Sequence, residues 1–120
     1  MPRLLVIEDE LEVSDYLRDY FQLHGVEVFT TASGEEALAL IESKQPDLVL
    51  LDLRLEGGIS GLEVLRRAKA AKSKAEIIVV TAIDDDNVAE LAKGLGAADY
   101  VTKPLVVSDL DRTILGRLKK

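Results

Sequence analysis

The stretch Asp47-Leu48-Val49-Leu50-Leu51-Asp52 is the starting point for the fold of this chain. Four large apolar side chains follow one another in it and end in the carboxylate of Asp52. A strand that is apolar at every position has no solvent-facing side, so it belongs inside a sheet that is covered on both faces. Asp52 is then expected at the carboxyl edge of the sheet, where open α/β sheets bind their ligands.

Two further segments have the same construction. Residues 4–7 (LLVI) run into Glu8 and Asp9, and residues 77–80 (IIVV) run into Thr81. Because the carboxyl ends of parallel strands meet at one edge of a sheet, three buried strands would bring these acids and this hydroxyl together with Asp52.

Helical patterns separate the apolar segments along all 120 residues. Five strand–helix units with short connections predict a three-layer α/β sandwich with a parallel sheet. The strand order 2-1-3-4-5 places strands 1 and 3 side by side at the switch point. We expect one domain over residues 1–120, with no effector domain in this chain. The strands are predicted at residues 3–7, 26–30, 48–51, 77–81 and 98–102.

The composition narrows the possible functions. The net charge is −7 and no long run of Lys or Arg is present, which argues against direct binding of nucleic acid. Cysteine is absent, which excludes disulfides and thiolate metal sites. The first strand follows Met1 closely and no apolar run approaches membrane-spanning length, so a cytoplasmic protein without a membrane segment is expected.

Some of the polar strand ends have a simpler explanation as helix caps. Asp9 and Glu12 have the spacing of a capping box for the first helix, and Asp84 to Asp86 could cap the fourth. Lys103 alone could be a solvated lysine. Asp52 resists this explanation because no helix begins directly after it.

Taken together, the same residues indicate phosphoryl chemistry. Glu8, Asp9 and Asp52 would repel one another unless a proton or a cation intervenes. Hard carboxylate oxygens suit Mg²⁺, which commonly binds one or two carboxylates and a phosphate oxygen. Lys103 at the end of the fifth strand and the Thr81 hydroxyl could then stabilise a phosphoryl group on a carboxylate.

In this arrangement the chain resembles the receiver domain of bacterial two-component response regulators, over essentially its whole length. The resemblance implies a flavodoxin-like (βα)5 fold and a phosphorylation-activated switch rather than a turnover enzyme. The residues that carry it are, in chain order, Glu8-Asp9, Asp52, Thr81-Ala82, Tyr100 and Lys103-Pro104.

The resemblance also implies individual roles. Asp52 would be the phosphoacceptor. Asp9, Asp52 and the backbone carbonyl of Arg54 would hold Mg²⁺, and Glu8 would assist through water. Lys103 would pair with the phosphoryl oxygens, and the peptide bond between Lys103 and the following proline would be cis.

The implied partners and switch follow from the same family. A sensor histidine kinase or a phosphotransfer protein would donate the phosphoryl group. Thr81 would then shift toward the phosphate and Tyr100 would turn inward, changing an output surface made of the fourth helix, the fifth strand and the fifth helix. A downstream effector domain or protein, or a homodimer formed on phosphorylation, would read that surface.

The loop after Asp52 departs from the family pattern. Glu56 stands where a proline is usual, the distance to Gly61 is one residue longer than usual, and Gly57 and Gly58 add backbone freedom.

Other functions compete with the switch. The chain could be a receiver-like interaction module that acts without phosphorylation, or a flavodoxin-like binding domain. The acids of residues 8–10, which would repel a phosphate, disfavour a phosphate-binding loop there. A phosphatase of the haloacid dehalogenase type wants a second acid two residues after its nucleophile, where this chain has Arg54.

Overall fold

The computed structural model describes residues 1–118, apart from the side chain of Val107, and it contains the expected parallel sheet. The strand order is β2-β1-β3-β4-β5, which confirms the predicted α/β topology. Strands β2 and β5 begin one residue later than predicted. The strands are β1 (Arg3–Ile7), β2 (Glu27–Thr31), β3 (Leu48–Leu51), β4 (Glu76–Thr81) and β5 (Asp99–Thr102).

Five helical segments connect and cover the strands. The first four are α1 (Leu11–Leu23), α2 (Gly34–Lys44), α3 (Gly61–Ala70) and α4 (Asp86–Gly94). The fifth, α5, spans residues 107–118, where the sequence predicts a helix from about Ser108. It consists of an α-helical turn (Val107–Asp109), a π-helical stretch (Leu110–Leu115) and a second α-helical turn (Gly116–Leu118).

The sheet has two buried faces because successive strand side chains point to opposite sides. One face, here called the α2–α4 face, packs against α2, α3 and α4; the other, the α1–α5 face, packs against α1 and α5. The strand residues of the α2–α4 face are Leu5, Ile7, Val49, Leu51, Ile77 and Val79. Those of the α1–α5 face are Leu4, Val6, Leu48, Leu50, Ile78 and Val80.

The fourth helix buries less than its sequence pattern indicates. Val88, Leu91, Ala92 and Leu95 repeat at helical spacing, which predicts that they face the core. Leu91 is nevertheless 52% exposed, and Ala92 is the buried residue of α4. The expectation fails because α4 packs beside β5, a four-residue edge strand that is itself only half-buried and offers little apolar surface.

Two expectations about local structure are confirmed. Asp85 caps α4, since its side chain accepts hydrogen bonds from the N–H groups of Asn87 and Val88. The peptide bond between Lys103 and Pro104 is cis. Within residues 1–118, no helix is both long and apolar enough to cross a membrane.

Candidate functional site

Three side chains converge at the carboxyl edge of the sheet. Glu8 and Asp52 are each only 5% exposed, although both are carboxylates. The ammonium of Lys103 lies between them and donates hydrogen bonds to Glu8 Oε1 (2.5 Å) and to Asp52 Oδ2 (2.8 Å). This shared cation compensates two buried negative charges that would otherwise be costly.

Strand alternation explains why these three residues meet. Each follows, by two residues, a strand residue that packs on the α1–α5 face, so each side chain continues toward that face. The preceding residues are Val6 for Glu8, Leu50 for Asp52 and Val101 for Lys103. Because β1 and β3 are hydrogen-bonded neighbours in register, Glu8 and Asp52 lie side by side.

The acids that cluster differ from those expected. Carboxylate oxygens of Glu8, Glu10 and Asp52 lie within 4.8 Å of one another, and Glu10 Oε1 is 3.7 Å from the Lys103 ammonium. Asp9 does not join this group among the residues that the structure describes. Glu10 was not among the predicted site residues, although it lies only two positions after Glu8 in the sequence.

The capping explanation for these acids is wrong. Helix α1 begins at Leu11 with Glu10 as its N-cap, and no side chain makes a capping hydrogen bond there. Asp9 and Glu12 therefore form no capping box. Instead, the backbone N–H of Glu10 donates to Glu8 Oε2 (3.1 Å), which helps to orient the buried carboxylate.

The environment shifts the pKa values of the charged groups. Burial raises the pKa of Glu8 to about 7, and repulsion from Asp52 adds to it, although hydrogen bonds from Lys103 and the Glu10 N–H oppose the rise. Burial by itself lowers the pKa of Lys103, but the hydrogen bonds to Asp52 and Glu8 outweigh it and the pKa is raised. Lys103 is therefore a permanent cation at neutral pH.

The carboxylate of Asp52 is held from two sides. Its Oδ2 accepts from Lys103, and its Oδ1 accepts from the backbone N–H of Arg54 at 2.9 Å. The second bond arises because the chain turns immediately after Asp52. This geometry fixes the orientation of both oxygens at the start of the β3–α3 loop, residues 52–60.

The predicted switch residues lie on the last two strands of the sheet, Thr81 at the end of β4 and Tyr100 within β5. Thr81 is fully buried, and its carbonyl accepts from the backbone N–H of Lys103 (2.8 Å). Its hydroxyl accepts from the N–H of Ile83 at 3.4 Å. Tyr100 is half-buried, and its hydroxyl donates to the Ile83 carbonyl at 2.6 Å. The segment after β4 thus links Thr81 to Tyr100.

The donor set of the cluster suits a hard cation. Glu8, Glu10 and Asp52 offer only carboxylate oxygens, and nitrogen or sulfur ligands are absent from the group. Oxygen ligands of this kind are those that Mg²⁺ prefers, usually with waters retained. These residues therefore fit Mg²⁺ chemically.

The three acids and the lysine meet at the carboxyl edge of a parallel α/β sandwich, next to the switch point where open sheets of this kind bind their ligands. The chain belongs to the response regulator receiver domain family of two-component systems, whose profile matches residues 4–115.

The chain is also similar to individual proteins and solved structures. Sporulation initiation phosphotransferase F of Bacillus subtilis is 30% identical over 108 residues, which cover 90% of this chain and 86% of that protein. Transcriptional regulatory protein AfsQ1 of Streptomyces coelicolor is 39% identical over 120 residues, and this chain spans 52% of its length. The crystal structure of response regulator protein TrrA from Thermotoga maritima in complex with Mg²⁺-BeF has 36% identity and a TM-score of 0.86, covering 98% of this chain and all of that one.

Proposed function

We propose that this chain is a phosphorylation-activated signalling switch in which Asp52 accepts a phosphoryl group from a phosphohistidine. The donor would be a sensor histidine kinase or a phosphotransfer protein. The observation that carries the proposal is the buried Asp52 carboxylate, which is oriented by Lys103 and by the Arg54 N–H at the edge of the sheet.

The transfer uses an oxygen of Asp52 as the nucleophile. The oxygen attacks phosphorus in line with the bond from phosphorus to the donor histidine nitrogen. The new oxygen–phosphorus bond forms as the nitrogen–phosphorus bond breaks. The electron pair of the broken bond returns to the nitrogen of the imidazole. Lys103, already 2.8 Å from Asp52, stays charged and compensates the arriving phosphoryl oxygens. The Thr81 hydroxyl donates to one of them.

Mg²⁺ is the proposed cofactor. Asp52, Asp9, the Arg54 carbonyl and, through water, Glu8 are the ligands implied by the family, while the observed grouping favours Glu8, Glu10 and Asp52. When bound, the ion neutralises negative charge on the phosphoryl oxygens. The structure of TrrA in complex with Mg²⁺-BeF supports this proposal.

Phosphorylation would bias a two-state equilibrium at Thr81 and Tyr100. An inward turn of Tyr100 has to break its 2.6 Å hydrogen bond to the Ile83 carbonyl. The readout would be the surface of α4, β5 and α5, where the exposed Leu91 offers an apolar contact. A downstream effector, or a second copy in a phosphorylation-dependent homodimer, would bind there.

We infer that residues 1–120 form one receiver domain that acts as a phosphoacceptor and not as a turnover enzyme. The domain spans about half the length of AfsQ1. We also propose that the protein is cytoplasmic and that it contacts neither nucleic acid nor membrane directly.

The test is phosphorylation with acetyl phosphate and Mg²⁺, followed by intact-mass spectrometry. The wild type is expected to gain one phosphoryl group only when Mg²⁺ is present. Asp52→Asn should gain none, and Asp19→Asn, which changes an exposed acid of α1, should behave like the wild type. A wild type without a Mg²⁺-dependent adduct would contradict the proposal and favour an interaction module that acts without phosphorylation.

A further inference from the structure

The β3–α3 loop needs outside support to hold one conformation. It runs from Asp52 to Ser60 without regular structure, and Gly57 (φ +70°) and Gly58 (φ +60°) are both left-handed. Consecutive glycines leave an unfastened loop many alternative conformations. Contacts from other parts of the chain must therefore select the observed one.

The base of the loop is closed by Gly61. Its N–H donates to the Leu53 carbonyl at 3.3 Å, and a Cβ there would lie 2.5 Å from both the Asp52 carbonyl oxygen and Leu53 Cα. The end of the loop thus rests directly on the backbone of the predicted phosphoacceptor, and only glycine permits this approach.

The far side of the loop is held by the N-terminus of α2. Glu35 Oε1 accepts a hydrogen bond from the backbone N–H of Ile59 at 2.8 Å, and Glu35 Oε2 accepts one from the Ser33 hydroxyl at 3.3 Å. A Cβ at Gly58 would overlap the Glu35 carboxylate. At the buried Gly34, a Cβ would lie 2.7 Å from the Ile59 side chain. The loop therefore sits tightly against the first two residues of α2.

Only four residues separate this contact from the site. The Arg54 N–H is bonded to Asp52 Oδ1, and the Ile59 N–H is bonded to Glu35, so residues 55–58 bridge two fixed points. The backbone of Arg54 carries both the N–H that orients Asp52 and the carbonyl proposed as a metal ligand. The hydrogen bonds of the Arg54 N–H and of the Ile59 N–H therefore fix the loop at two points five residues apart.

We infer that Glu35 is a positioning residue for the phosphoacceptor site, because it holds the β3–α3 loop and with it the backbone of Arg54. This inference rests on the proposed function. Hydrogen bonds from the N–H groups of Glu35 itself and of Ile59 lower the pKa of Glu35, so the carboxylate is charged at neutral pH and accepts strongly.

The test compares Glu35→Ala, Glu35→Asp and Glu35→Gln with the control Glu36→Ala. Glu36 is the next acid on α2 and is also exposed, and within residues 1–118 its side chain makes no hydrogen bond to the loop. Mg²⁺ affinity is measured by isothermal titration calorimetry, and the half-life of the phosphorylated form is measured after removal of acetyl phosphate. Both are followed well below the melting temperature, where a merely structural contact would change neither.

Loss of the hydrogen bond should weaken Mg²⁺ binding about threefold to tenfold in Glu35→Ala. Glu35→Asp keeps the charge but is one methylene too short, so it should show the same loss and a changed phosphoryl half-life. Glu35→Gln retains an acceptor oxygen and should restore values near the wild type, as should Glu36→Ala. Amide hydrogen exchange at Ile59 should accelerate in the first two variants only.

The outcomes separate this inference from the proposed function. If the wild type accepts a phosphoryl group while Glu35→Ala and Glu35→Asp match it in Mg²⁺ affinity and half-life, only the positioning role is overturned. If the wild type accepts no phosphoryl group, the proposed function falls and the inference falls with it. If Glu35→Ala does not fold, the comparison of Glu35→Asp with Glu35→Gln decides whether Glu35 positions the loop.

Discussion

Two connections at the carboxyl edge of the sheet carry its acids, and they are built differently. The β1–α1 turn, residues 8–10, needs three residues, and a local hydrogen bond from the Glu10 N–H to Glu8 Oε2 orients the Glu8 carboxylate. The β3–α3 loop needs nine, and it is held by Gly61 at its base and by Glu35 at its far side. The first connection is therefore specified locally, whereas the second depends on residues distant in sequence.

This difference separates two ingredients of a functional site. The acids follow neighbouring strands, so the pairing of those strands is almost sufficient to place them. The backbone groups around Asp52 are delivered by a loop whose conformation is selected by tertiary contacts. Mutations in the two connections should therefore have different consequences.

The greatest loss of stability is expected at Lys103, because its ammonium contacts an acid from each of the two connections. Lys103→Met removes the ammonium between Glu8 and Asp52 and leaves two buried carboxylates without a cation. The free energy of unfolding at pH 8 without Mg²⁺ should fall by about 3 kcal/mol, measured by urea denaturation. The control Lys93→Met, on the exposed surface of α4, should change it by less than about 0.5 kcal/mol. Equal effects in the two variants would show that the buried pair is not compensated by Lys103.

The loop connection alone is addressed by Gly61→Ala. Its methyl group would meet the Asp52 carbonyl oxygen at 2.5 Å, and a backbone atom cannot move aside cheaply. The expected destabilisation is about 2 kcal/mol, measured in the same way. Gly94→Ala is the matched control, because no atom lies within 4 Å of its added Cβ, and it should be neutral or slightly stabilising. A neutral Gly61→Ala would mean that the base of the loop is not tightly packed.

The turn connection is tested through pH. Since the pKa of Glu8 is about 7 in the folded protein against 4.5 ordinarily, the native state holds this proton more tightly than the unfolded state. Its contribution to stability is full below pH 4.5 and is lost as the pH rises to about 7.

The free energy of unfolding of the wild type, relative to Glu8→Gln, should therefore fall by up to about 3 kcal/mol across that interval without Mg²⁺. Urea denaturation at a series of pH values measures it. A relative stability that stays flat, or that rises with pH, would be inconsistent with a protonated buried Glu8.

The smallest changes in stability are expected from substitutions at the N-caps of α1 and α3, the helices that follow the two connections. The Ser60 hydroxyl caps α3 by accepting from the Glu63 N–H at 3.2 Å, so Ser60→Ala should cost about 1 kcal/mol. Glu10 occupies the N-cap of α1 without a side-chain capping bond, so Glu10→Ala should cost less than about 0.5 kcal/mol. Thermal denaturation compares them, and equal losses would contradict the assignment of Glu10 to the acid cluster instead of the cap.

Much of this molecule could be predicted from local patterns. Apolar runs of four residues predicted the buried strands, and short connections between right-handed crossovers left the observed order 2-1-3-4-5. Asp52 at the end of β3 and Lys103 after β5 followed directly, because the ends of parallel strands share one edge of the sheet. These features depend on hydrophobic burial and period-two alternation, which neighbouring residues express by themselves.

Other features emerged only when distant segments packed together. Glu10 rather than Asp9 joined the acids, Leu91 remained exposed beside a short edge strand, and Glu35 held a loop that follows it by some twenty residues. Each depends on the side-chain direction or surface that another element presents. The strand pattern of this chain thus accounts for where its acids are, while packing between α2 and the β3–α3 loop accounts for the backbone that surrounds Asp52.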